Sequence, residues 1–137
     1  MGHIVHRLRR EQLTLGHYPQ SISLSTVGGW IAASATGHAS VGYGPIEEHL
    51  LGLTAVLAGG RVMRLRPVPR SAAGPDLRQL LVGSEGTLGV VTEATLSLNR
   101  LPAGYRWLAF APPSFAAGCT LTRLIIQHRI PALVVRA

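Results

Sequence analysis

The stretch GSEGTLGVVTEATL, Gly83 to Leu96, decides how the rest of this sequence is read. Three glycines, Gly83, Gly86 and Gly89, recur at intervals of three and feed a segment that alternates. Leu88, Val90, Thr92, Ala94, Leu96 and Leu98 share one face, and Glu93, Thr95 and Ser97 share the other, the period of a half-buried strand. Just upstream, Asp76 is positioned to cap a helix of about two turns covering Leu77, Leu80 and Leu81, which Gly83 ends by taking the left-handed conformation. A glycine loop between helix and strand lets the main chain approach a ligand closely and suits a flat, phosphate-bearing one. It serves equally as a tight connection, and spacing alone leaves both readings open. No Gly-Lys-Ser/Thr follows, so this is not a P-loop; Val82 stands two before Ser84 where a nucleophile elbow needs glycine.

A second glycine site is STVGGWIAASATG, Ser25 to Gly37. Side chains this small allow a ligand or another backbone to lie against the chain, and they also suit a helix packed on a sheet. The segment from Leu13 to Thr36 reads as loop, turn and a short buried helix. Neither glycine site gathers an acid, a base and a nucleophile, so any chemistry has to come from a bound cofactor.

The remainder of the chain supplies a scaffold. Residues 1–12 form a basic arm or short helix, in which His3 and His6 are expected to be exposed. Leu50 to Leu57 and Arg61 to Leu65 read as a hairpin turned by Ala58, Gly59 and Gly60. Beyond Pro102 the pattern predicts a strand at Trp107 to Phe110, a helix capped by Ser114 and running to about Arg129, and a strand from Pro131 to Arg136. Leu121, Leu124, Ile125 and His128 give that helix one apolar side for a sheet, with Cys119 in the core. A strand, helix and strand cannot bury their faces alone, so residues 103–137 are expected to open a further, truncated domain.

With 137 residues, 47% hydrophobic and 14% charged, the chain has room for one core, and its 16 glycines and 9 prolines argue against a helical bundle. Gly29, Gly59 and Pro112 interrupt the apolar stretches before a membrane span is reached, and no export signal is seen, so a cytoplasmic location is expected. A single cysteine excludes an internal disulfide. The net charge is +7 with thirteen arginines and no lysine. Only Arg7, Arg9 and Arg10 cluster, and aromatic residues are 5%, so nucleic acid is not the favoured partner. The six histidines are scattered without metal-ligand spacing, and no metal site is assigned. Adjacent Glu47 and Glu48 point in different directions and do not form a carboxylate pair.

Taken together, TLGHYPQS at Thr14 to Ser21, STVGGWIA at Ser25 to Ala32, the Tyr43-Gly44 and Ile46-Glu47 pairs, AGPDLRQLLVGSEGTLGVVTEATL at Ala73 to Leu96 and the Leu101-Pro102 exit resemble a known family. It is the FAD-binding domain of the vanillyl-alcohol oxidase and p-cresol methylhydroxylase (PCMH) type, and the likeness is strongest to alkyldihydroxyacetonephosphate synthases and bacterial FAD-linked oxidases. The resemblance implies an α+β fold: the second subdomain of a PCMH-type FAD-binding domain over residues 13–102, then the first strand, helix and strand of a substrate-binding cap. It implies FAD as cofactor, with contacts at Gln20, Ser21, Ile22, Ser23, Leu24, Ser25 and Thr26. Gly28, Ala33, Ser34, Ala35 and Thr36 would follow, then Glu85, Gly86, Thr87, Leu88, Gly89, Val90 and Val91.

Departures from that family bear on activity. The first subdomain with its Gly-rich diphosphate loop has no counterpart in residues 1–12. Ser34 stands where relatives carry an Arg, and Gly42 where Arg or Lys often precedes the Tyr-Gly pair. The family's catalytic residues belong to the cap, so no catalytic residue is assigned. Two readings follow: the FAD-binding portion of a flavin-dependent oxidoreductase or alkylglycerone-phosphate synthase-like enzyme, incomplete and inactive alone; or a non-enzymatic gene fragment or basic polyanion-binding module. On the first, the partners are FAD, an unidentified small-molecule substrate and a complementing chain or self-association.

Overall fold

The computed structural model describes residues 2–136, with side chains described from Ile4 onward. In chain order the elements are α1 (Gly2–Arg10), β1 (Leu13–Thr14), α2 (Val27–Ala32), α3 (Ser40–Tyr43), α4 (Ile46–His49), β2 (Leu50–Leu57), β3 (Val62–Leu65), α5 (Arg78–Leu81), β4 (Gly89–Leu96), β5 (Asn99–Arg100) and α6 (Phe115–Gln127). His6 is exposed on α1, and the side chain of His3 lies outside the described residues.

The centre is an antiparallel sheet in the order β3-β2-β4. The expected hairpin is present: Val56 faces Val62 and Leu53 faces Leu65, and the turn carries positive φ at Gly59 and Gly60. A second small sheet joins β1 to β5, with Leu13 opposite Arg100. That pairing brings two segments with weak local signals together across most of the chain.

One face of the central sheet buries Leu53 and Ala55, and with Leu50 they pack against Trp30 and Ile31 of α2, Ile46 of α4 and Leu81 of α5. Burying side chains of this size stabilises by roughly 1.5–3 kcal/mol each before entropy is counted. Gly52 is the crossing point for the other face. A Cβ there would come within 2.7 Å of the Pro67 main chain, so only glycine lets the segment after β3 pass over β2.

The strand over Gly89–Leu96 is present, but its alternation breaks. Val91 pairs with Ala55 and Glu93 with Thr54, leaving Thr92 without an opposite residue. An extra residue in one strand reverses the facing of everything beyond it. Val91 therefore turns to the core before the bulge and Ala94 and Leu96 after it, while Val90 is 66% exposed. The even-numbered face expected from Leu88 to Leu98 is corrected accordingly: Leu88, Thr92 and Leu98 are exposed as well.

Three further expectations change. The helix after Asp76 is a single turn, Arg78–Leu81, in which only Leu81 of the expected apolar set is buried and Leu77 and Leu80 are exposed. Asp76 does accept from the Arg78 amide at 3.0 Å, and Gly83 closes the turn at φ +71°. The helix after Pro112 begins where expected, with Ser114 Oγ accepting from the Ala117 amide. The segments on either side of it, residues 107–110 and 131–136, carry no strand pairing, because no neighbouring strand offers them a ladder. Trp107 is 86% exposed, and Cys119 is exposed rather than in the core.

Candidate functional site

The two glycine stretches lie side by side. Thr26 starts α2 by accepting the Gly29 amide on Oγ1 at 3.1 Å. At the other end of α2 the carbonyl oxygens of Ile31 and Ala32 accept from the amides of Gly83 and Glu85, at 3.0 and 2.9 Å. These bonds dock the second glycine loop on the first. Gly28 faces β4 so closely that a Cβ would stand 2.9 Å from the Val91 carbonyl oxygen; its smallness serves this packing and leaves no ligand space at its Cα.

Each predicted segment has a defined place. Residues 20–26 form turns after buried Pro19. Ser25 accepts the Trp30 indole N–H at 2.6 Å and donates to the Ser21 carbonyl at 2.7 Å. Leu24 is 90% exposed at the turn's tip. Residues 33–36 leave the C-terminal end of α2, with Ser34 at φ +46° and its hydroxyl 3.4 Å from a Glu47 carboxylate oxygen. Residues 85–88 form an exposed loop in which Glu85 has φ +52°, Gly86 has φ +78°, and Thr87 Oγ1 donates to the Ser84 carbonyl at 2.6 Å. Residues 33–36 and 83–86 meet directly, since a Cβ on Gly83 would lie 3.6 Å from that of Ser34. Residues 20–26 join them only through α2, which at six residues spans about 9 Å.

The donor set can be judged against a dinucleotide. Among the described residues, the amides of Ser21, Ser23, Gly28, Thr36 and Gly86 have no acceptor, and the hydroxyls of Ser23 and Thr36 make no hydrogen bond. No carboxylate lies in 20–26 or 33–36, and nothing stands within 4 Å of where Gly86 would carry a Cβ. Unpaired N–H and O–H groups on an open surface of a strongly basic chain suit a diphosphate and a flat ring system. The residues present therefore fit FAD.

Two features were not legible as parts of a site. The guanidinium of Arg78 is an internal tie. Its Nη1 stands 2.7–2.8 Å from the carbonyl oxygens of Leu50, Leu51 and Val68, while Nε and Nη2 bond Asp76. It fixes α5, and hence the loop it feeds, to β2. The other is His17, 1% exposed and set edge-on to Trp30 with ring centroids 4.9 Å apart. Burial pushes its pKa below 6.5, and neighbouring His49 pushes the same way against the opposing pull of Glu47. His17 lay inside a quoted motif, but a histidine in a loop carries no signal of burial.

This fold is that of the FAD-binding domains. Residues 1–66 match the family described as FAD binding domain. The chain is 39% identical over 127 residues to the alkyldihydroxyacetonephosphate synthase of Caenorhabditis elegans, covering 92% of this chain and 21% of that protein. It is 47% identical over 104 residues to the FAD-linked oxidoreductase YgcU of Escherichia coli (strain K12), covering 72% of this chain and 22% of that one. A solved alkyldihydroxyacetonephosphate synthase structure superposes with a TM-score of 0.72 at 32% identity over 91% of this chain and 22% of the other. The chain belongs to this family of FAD-binding domains, with the PCMH-type α+β fold, and its cofactor is FAD. It spans about a fifth of the length of the relatives it matches. Among the described residues no helix is long and apolar enough to cross a membrane.

Proposed function

We propose that the chain forms one wall of the FAD groove in a flavin-dependent oxidoreductase or an alkylglycerone-phosphate synthase-like enzyme acting on a small-molecule substrate in the cytoplasm. Residues 13–102 form the cofactor-binding unit and residues 103–137 begin the substrate unit. On this reading Gln20 to Thr26 and Ala33 to Thr36 offer amides and hydroxyls to the diphosphate and ribose. Gly28 contributes its amide, Glu85 to Gly89 present main chain to the ring edge, and exposed Val90 lies beside an aromatic ring, whereas Val91 faces the core and is not a ring contact. The bound flavin supplies hydride or electron transfer, and the protein's residues orient it with neutral N–H and O–H donors around its phosphates.

The observation that carries this reading is the pair of hydrogen bonds from Gly83 and Glu85 to Ile31 and Ala32, which joins the two donor-bearing stretches. Titrating FAD with the purified chain tests it. Saturable quenching of flavin fluorescence is expected at micromolar protein, weakened by Gly86→Val, whose side chain would fill the open space above the loop. Unchanged flavin fluorescence at high micromolar protein overturns it.

A further inference from the structure

A groove of about 300 Å3 runs beside the core, walled by Val5 and Leu8 of α1, Val27 and Trp30 of α2, and Leu96 and Leu98 at the end of β4. Among the described residues its lining is apolar apart from His17. That imidazole is 1% exposed, and among the described residues neither Nδ1 nor Nε2 has a hydrogen-bond partner. A neutral imidazole carries one N–H donor and one lone-pair acceptor, and folded proteins seldom leave such buried groups unpaired. Trp30 does not satisfy it: the contact is ring edge to ring, and the indole N–H is already given to Ser25.

We infer that this groove is a binding site for an uncharged, mostly apolar small molecule whose single hydroxyl or carbonyl group pairs with His17. Among the described residues no arginine, aspartate or glutamate lines it, so a charged ligand would lose its hydration without compensation. The walls give area and shape, and the one polar group gives orientation, the usual division of labour in a small-molecule site. The site is separate from the flavin-contact segments, with which it shares only Ile22. The inference therefore stands whether or not the chain holds FAD.

Two probes of matched shape test it on the intact chain, 2-naphthol and naphthalene, with binding read from the emission of Trp30. The hydroxyl compound is expected to bind about tenfold or more tightly, because only it satisfies the imidazole. His17→Phe, which keeps a ring against Trp30, is expected to bring the two affinities to within about twofold. Should that variant fail to fold, the wild-type protein decides: the His17 ring nitrogen resonances are expected to shift with naphthol and not with naphthalene. Equal affinities in the wild-type protein, no saturable binding of either probe, or competitive displacement of naphthol by FAD would each overturn the inference.

Discussion

The carbonyl oxygen of Val91 lies 2.9 Å from the point where Gly28 would carry a Cβ. This contact seats α2 on β4 and holds the two glycine stretches at one height. Because the obstructing atom is backbone, Gly28→Ala is expected to destabilise the fold by about 1–3 kcal/mol, as overpacking does. Gly86→Ala meets no atom but must hold φ +78°, which costs about 1–2 kcal/mol. Urea denaturation of both variants measures the two effects; equal midpoints with the wild type would contradict the seating.

Stability should fall as the solution is acidified from neutral. Burial lowers the pKa of both His17 and His49 from 6.5 in the folded state. Between 6.5 and the folded-state values the unfolded chain binds more protons, so stability is full above 6.5 and is lost as pH drops below it. Asp76, held below 3.8 by its hydrogen bonds to Arg78, adds a loss at still lower pH. Urea midpoints from pH 8 to pH 4 are the measurement, and His17→Phe should flatten the upper part of the curve.

Arg78→Met is expected to cost about 2–4 kcal/mol, because it strips a cation from three carbonyl oxygens in a largely buried setting. Asp76→Asn should cost under about 1 kcal/mol, since its side chain is 37% exposed and the pair is screened. Thermal or urea unfolding separates the two; similar losses would mean that the ion pair, and not the carbonyl tie, holds α5.

The two tryptophans should be optically distinct. Trp30 is 2% exposed and Trp107 is 86% exposed. Acrylamide is expected to quench only one emitting population efficiently, and Trp107→Phe should leave a bluer, poorly quenched spectrum. Strong quenching that persists in that variant would place Trp30 in solvent.

What the sequence determined by itself was whatever depends on neighbours along the chain. The hairpin at Gly59 and Gly60, the cap at Ser114, the left-handed Gly83 and the glycine-rich text of an FAD-binding domain are all written within a few residues. Tertiary structure decided the rest. The bulge at Thr92 arises from pairing with β2 and turns Val90 outward against a regular alternation. Residues 107–110 have strand-like composition and no strand to pair with. Arg78 and His17 carry no local signal of their roles, which appear only when three carbonyls close around one and an apolar groove forms beside the other. Propensity and caps are local energies, whereas register, burial and the satisfaction of a polar group depend on which distant segment arrives beside it.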